Sequence, residues 1–210
     1  MIFYTIIQIE YINMDKILGG INMDTINAIE ERRSIRKFQN KTVPKETIER
    51  LLELSTKSPS GKNRQPWRFV VLQNRKKDEL VDMMKNASNL YKKQNKSIGS
   101  LDLSTNSINQ ASALVLVFNA FSNFEEDYNH HRLLTDTQSI GAAIQTMILG
   151  AQNFGLGTLW ICDIFYCNNE ICSWLNRKDE LVAAVAIGYP NQSPYPRPRK
   201  LLKEVTEWMY

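Results

Sequence analysis

The sequence predicts an α+β or α/β sandwich in which a small mixed sheet is covered by helices. Three observations carry that reading. Helical and strand-like stretches are interleaved along the chain, and the helices are long relative to the strands. One strand-like run, residues 113–118, is apolar throughout, as a strand covered on both faces must be. With 210 residues, 43% of them hydrophobic, the chain can bury a full core in one domain or at most two. The expected division is an N-terminal extension over 1–22 and a single domain over 23–210.

Taken in order, residues 1–22 read as a loosely attached extension or a strand-like arm, given the apolar run at 2–7. Asp24 is placed to cap a helix that contains Ile26, Ala28 and Ile29. The segment 32–38 breaks the helical period. A second helix starts at Pro44, whose missing N–H costs nothing in a first turn, and Ile48, Leu51, Leu52 and Ser55 form its inward stripe. Residues 58–67 hold two prolines, a glycine and several hydrogen-bonding side chains, which makes them an ordered loop. A buried strand is expected over 68–72 and a helix over 76–85, with Leu80, Val81 and Met84 facing inward.

Residues 86–109, rich in Asn, Ser and Lys, read as a mobile connection with helical pieces that would serve as a lid over a site. After the central strand at 113–118 and an acidic loop at 123–127, the longest helix runs over 133–154. Ile140, Ile144, Met147, Ile148, Ala151 and Phe154 mark its buried stripe, and Gly141, Ala142 and Ala143 permit close approach of another element. Glycines at 155 and 157 end it. A third strand at 158–161, a short helix at 168–175 and a fourth strand at 181–189 complete the pattern.

Charge and composition exclude several functions. The net charge of +4 is small and the acids are interspersed, so the chain does not suggest a nucleic-acid coat. Cys162, Cys167 and Cys172 form no Cys-x-x-Cys pair, which reads as reduced thiols in a cytoplasmic protein rather than a zinc knuckle or a disulfide framework. His130 and His131 are the only histidines, and their adjacency suits a single metal ion poorly. No apolar stretch approaches the roughly 18 residues that a bilayer span needs, and the first eleven residues lack the basic leader of a signal peptide. Gly-x-Gly-x-x-Gly, Walker and Gly-x-Ser-x-Gly signatures are missing.

Chemistry is suggested by Arg32-Arg33-Ser34-Ile35-Arg36-Lys37-Phe38. In an extended backbone Arg32, Ser34 and Arg36 point to one side, and two guanidiniums with a hydroxyl suit a phosphate. The same residues would equally make a solvated basic turn, which is the commoner case. Arg197 and Arg199, set between prolines, are open to the same two readings.

Four segments in this order resemble the nitroreductase family of flavin-dependent oxidoreductases: the 32–38 strip, Ser58-Pro59-Ser60-Gly61-Lys62-Asn63-Arg64-Gln65-Pro66-Trp67, the helix running into Gly155-Leu156-Gly157-Thr158-Leu159-Trp160-Ile161, and Gly188-Tyr189-Pro190 followed by Arg197-Pro198-Arg199-Lys200. The resemblance covers roughly residues 24–206. It implies an α+β three-layer sandwich with a small, mainly antiparallel sheet, forming a homodimer that binds FMN at the subunit interface.

Carried over by position, Arg32 and Ser34 would hold the FMN phosphate together with Arg197 and Arg199, and Arg36 would reach the ring edge near N1 and the C2 carbonyl. Arg33 belongs to the same cluster, although alternation points it the other way. Pro59, Ser60 and Asn63 would meet the flavin from the partner subunit. Trp160, Ile161 and Cys162 would run beside the isoalloxazine, largely through their backbone. The implied activity is ping-pong transfer of a hydride from NAD(P)H through flavin N5 to a small oxidised acceptor: a nitroaromatic, a quinone or an activated alkene. The cofactor carries the chemistry, so no side-chain base is demanded. Alternatives are a specialised flavin enzyme of the same fold, acting in reductive dehalogenation or flavin-fragmenting cofactor synthesis, and a non-catalytic basic binding protein. Residues 1–22 lie outside the family pattern, and 86–130 matches none of it.

Overall fold

The computed structural model describes residues 23–210; the expected extension over 1–22 lies outside the described residues. The first helix, α1 (Thr25–Glu31), is capped by the Asp24 carboxylate, which accepts from the Asn27 N–H. Helix α2 (Lys45–Ser55) follows, with Pro44 at the N-cap instead of in the first turn. Its stripe is buried as expected, Ile48, Leu51 and Ser55 completely or nearly so.

Four strands form one sheet: β1 (Trp67–Gln73), β2 (Ala113–Asn119), β3 (Gly157–Ile161) and β4 (Glu180–Gly188). Their spatial order is β1-β2-β4-β3 and every neighbouring pair is antiparallel. The mixed character comes from outside the named strands, where Ser34 bridges Thr158 in parallel and Phe38 bridges Pro190 in antiparallel fashion. The 32–38 strip therefore lies along the free edge of β3. The strand expected to be buried at 68–72 is instead an edge strand, with only Trp67 and Leu72 buried. One flank of β1 has no neighbour in the sheet, so burial along it is partial.

The sheet separates two cores, and β2 shows why. Leu114, Leu116 and Phe118 enter one core and Ala113, Val115 and Val117 the other, the period of two that an apolar central strand imposes. Helices α2 and α5 (His130–Asn153) pack on the second face through Ile48, Leu51, Ile140, Ile144 and Met147. The first face is covered by α3 (Asn74–Lys93), α4 (Leu101–Gln110), the 3-10 turn Asp163–Cys167 and the short α6 (Asn168–Trp174). This is the expected three-layer sandwich.

The reading of 86–109 as a loose connection is corrected. Helix α3 runs on to Lys93, and α4 packs beside it with Leu101 and Ile108 fully buried. Its hydroxyls did not betray a loop, because Thr105 and Ser107 satisfy themselves on the carbonyls of Leu101 and Leu103, four residues back. Lys77, itself buried, donates to the carbonyls of Ile108, Asn109 and Ala111 and closes the C-terminus of α4. Helix α5 starts three residues earlier than expected, because the Asn129 side chain accepts from Arg132 N–H. It ends at Asn153, and Gly155 beyond the Phe154 cap (φ +63°) turns the chain, with Leu156 N–H on the Ala151 carbonyl and Gly155 N–H on the Gln152 carbonyl, a Schellman pair.

Candidate active site

The 32–38 strip is seated on the sheet by backbone bonds and by two glycines. Ile35 N–H donates to the Thr158 carbonyl at 2.9 Å, and Gln39 N–H to that of Tyr189 at 2.9 Å. A Cβ on Gly157 would stand 2.7 Å from Ile35, and one on Gly188 would stand 2.8 Å from Phe38. Those two side chains are buried, and the polar residues of the strip lie between and beside them. On the same edge, Asn191 N–H donates to the Lys37 carbonyl at 2.9 Å, so the chain leaving β4 is turned back along the strip.

This routing brings the two ends of the described chain together. Arg32, Arg33, Ser34 and Arg36 line a cavity of about 460 Å³ with Arg197 and Arg199, and Pro194, Tyr195 and Pro196 complete the C-terminal wall. Glu30 is the one acidic residue of the lining. Among the described residues none of the five arginines makes an ion pair with a carboxylate. Burial, then the positive charge of Arg199 and Arg33, push the Arg32 guanidinium below its ordinary pKa. Arg33 is folded back, donating to the carbonyls of Glu30 and Arg32 at 2.6 and 2.9 Å, so it lines the cavity despite its place in the alternation.

The other expected residues lie elsewhere in the chain. None of Pro59, Ser60, Asn63, Trp160, Ile161 or Cys162 lines the arginine cavity. The 58–67 loop rests on α5: the Ser58 and Thr146 hydroxyls are 2.7 Å apart, Gly61 N–H donates to Ser139 Oγ at 3.3 Å, and Gly61 sits so close to the Thr135 methyl that no side chain would fit. Ser60 Oγ accepts from Gln65 N–H at 3.0 Å, inside the loop itself. Ile161 faces the core, which leaves its backbone as the part available to a ligand. Trp160 is partly exposed, with its ring edge 3.8 Å from where a Cβ on Gly141 would stand. Cys162 is exposed, yet burial of its thiol and the charge of Asp163 push its pKa up, so it is not poised as a thiolate.

A second polar cluster went unread in the sequence. Arg64, within the loop, donates through Nε to Asp136 Oδ1 at 3.1 Å and through Nη2 to Oδ2 at 3.2 Å. The same Nη2 reaches Glu125 at 2.9 and 3.1 Å, and the Phe121 ring lies 4.5 Å beneath the guanidinium. Tyr128 donates to Asp136 Oδ2 at 3.1 Å and accepts from Asn119 at 2.7 Å; burial pushes its hydroxyl up to about 12, so it stays a donor. Acidic residues 61 and 72 positions from Arg64 carry no local signal, and the sequence alone offers only the acidic loop at 123–127.

Comparison with known proteins gives this geometry a context. The sequence model of the Nitroreductase family matches residues 29–189. The Bacillus subtilis protein YfhC, provisionally named an NAD(P)H nitroreductase, is 26% identical over 94% of this chain and 96% of its own length. The iodotyrosine deiodinase of Hydra vulgaris is 27% identical over 79% of this chain; the chain spans 65% of that enzyme, and other relatives match over as little as 20% of their length. A Desulfovibrio desulfuricans nitroreductase-like structure solved in complex with FMN superposes with a TM-score of 0.70 and 27% identity, covering 90% of this chain and 99% of the other.

Proposed function

The chain belongs to the nitroreductase family, and from that premise we propose that residues 23–210 form one domain that works as an FMN-dependent, NAD(P)H-using oxidoreductase. The observation that carries the reading is the arginine cavity. Five guanidiniums and Ser34, drawn from two separate stretches of the chain and without carboxylate partners among the described residues, form a site whose chemistry suits an anion. A phosphate dianion replaces its hydration with charge-assisted bonds, and the guanidinium fork matches its oxygens. The cavity therefore fits the phosphate of FMN, and the FMN-bound relative supports that choice.

Within this reading Arg32, Ser34, Arg197 and Arg199 hold the phosphate, and Arg33 adds positive charge at the rim. Arg36, two residues further along the β3 edge, is assigned to the N1 and C2-carbonyl edge of the ring, where a fixed cation favours the reduced, more anionic form. The backbone of Trp160, Ile161 and Cys162 runs beside the ring. When bound, FMN supplies the two-electron hydride chemistry that no side chain here provides. Cys162 keeps its proton and takes no redox part. Pro59, Ser60 and Asn63 serve the site of a second copy, which agrees with their position outside the arginine cavity of their own chain; the protein is then a homodimer. Three free cysteines agree with a reducing, cytoplasmic setting, and among the described residues no helix is long and apolar enough to cross a membrane.

The test is a spectrum. Purified protein, or protein reconstituted with FMN, should show flavin absorbance that bleaches anaerobically on addition of NADH or NADPH and returns with a nitroaromatic or quinone. A colourless chain that cannot be reconstituted defeats the proposal. The Hydra vulgaris likeness favours one second reading, reductive dehalogenation; halide release from a halogenated phenol by the reduced protein, with no turnover of nitroaromatics, would select it.

A further inference from the structure

We infer that Arg64 and Asp136 are positioning residues that hold the 58–67 loop in a strained shape suited to its flavin contact. The inference rests on the flavin reading above but concerns residues that reading does not use. Lys62, Asn63 and Gln65 have φ of 52°, 53° and 50°, three non-glycine residues in the left-handed region within four positions. Such a backbone persists only where its surroundings over-determine it. Arg64 lies between the strained residues with an ordinary right-handed conformation (φ −68°, ψ −28°).

Its side chain is the anchor. Asp136 is 1% exposed and accepts from both Nε and Nη2 of Arg64, a bidentate grip that fixes the guanidinium plane as well as its position. Tyr128, its hydroxyl held by Asn119, donates to the carboxylate from behind, and Glu125, itself paired with Arg132 at 3.0 Å, holds the outer edge of the guanidinium. These partners come from α5, the end of β2 and the turn after it. The anchor thus ties the loop to two rigid elements, and the side chains of Ser60 and Asn63 need not be ordered when the ligand arrives. Preorganisation of this kind appears as affinity, because the entropy of ordering the loop is not lost on binding.

The closing experiment uses the full chain and two ligands, FMN and riboflavin, which lacks the phosphate. The loop is assigned to the ring, so Arg64→Gln should weaken both ligands by the same factor, about tenfold, with the far-UV circular dichroism of the folded protein unchanged. Arg64→Lys, which keeps the charge but loses the fork, should recover only part of that loss. Arg32→Ala should weaken FMN alone. A merely structural role would lower the melting temperature without moving riboflavin affinity measured well below it. Asp136→Asn should repeat the Arg64→Gln result; if it does not fold, Arg64→Gln, whose side chain is 24% exposed, decides alone. Unchanged riboflavin affinity in folded Arg64→Gln overturns the anchor and leaves the flavin reading standing. Wild-type protein that binds neither flavin overturns both.

Discussion

Arg32 and Arg64 are both half-buried cations, and their surroundings are opposite. Arg64 has two carboxylates, a tyrosine behind one of them and an aromatic ring beneath it. Arg32 has other arginines for neighbours, and burial together with the charges of Arg199 and Arg33 lowers its pKa. A guanidinium desolvated against its own kind is a cost to the isolated chain, which an anionic ligand would offset. A guanidinium held by carboxylates is already satisfied and serves geometry. The contrast separates binding from positioning without reference to where either residue sits in the sequence.

The contrast can be broken in several ways, of which Asp136→Ala carries the largest expected effect. Removing the buried carboxylate leaves Arg64 with Glu125 alone and takes the acceptor from Tyr128, and the loss should be about 3 kcal/mol, the low end of the usual range because Arg64 is partly solvated and keeps one carboxylate. Urea denaturation midpoints would show it, and a loss under about 1 kcal/mol would place this pair with ordinary surface bridges. Arg32→Ala should behave inversely. It should weaken FMN binding by about 1.5–3 kcal/mol, the worth of a charged hydrogen bond, while leaving the urea midpoint unchanged or slightly higher because it relieves repulsion; calorimetric titration with FMN reads the first and denaturation the second.

Gly157→Ala tests the support beneath the cavity. The added Cβ would stand within 3.0 Å of three Ile35 atoms, so overpacking of about 1–3 kcal/mol is expected, together with weaker FMN binding, because Ile35 seats Arg32, Ser34 and Arg36. Full FMN affinity with normal stability would show that the strip does not depend on this seat. The smallest effect concerns Lys77, a third kind of cation, buried on three backbone carbonyls with the Asp78 carboxylate 4.0 Å away. Burial lowers its pKa below the ordinary 10.5, so the unfolded chain binds the proton more tightly. The penalty for keeping it charged is then full below the lowered pKa, and native stability rises as pH climbs from there to 10.5. Denaturation of wild type and Lys77→Met across that window should show the difference moving in favour of the wild type; a flat difference would contradict it.

Much of the fold was legible because local chemistry and tertiary packing agree. Asp24, the inward stripe of α2, the apolar run of β2 and the glycine stop after α5 all express patterns of a few residues. The failures lie where a residue type has two uses. Asn, Ser and Lys over 86–109 suggest a loose segment, yet the Thr105 and Ser107 hydroxyls bond back into their own helix, Ser88, Ser100 and Ser104 bond to carboxylates, and Lys77 caps the helix end. Strand β1 was expected to be covered, but its position in the sheet order is a property of the whole chain.

The sequence by itself determined the kinds of element, the candidate phosphate ligands and, through four ordered segments, the family. Only the tertiary structure decided which cations were spent and which were free. That Arg197 and Arg199 lie across from Arg32 depends on the turn after β4 and its pairing with Lys37. That Arg64 is satisfied depends on Glu125 and Asp136, far along the chain. Periodicity and capping act over one helical turn or a few strand residues, whereas an arginine's role is set by whichever carboxylate the fold brings within about 3 Å of it.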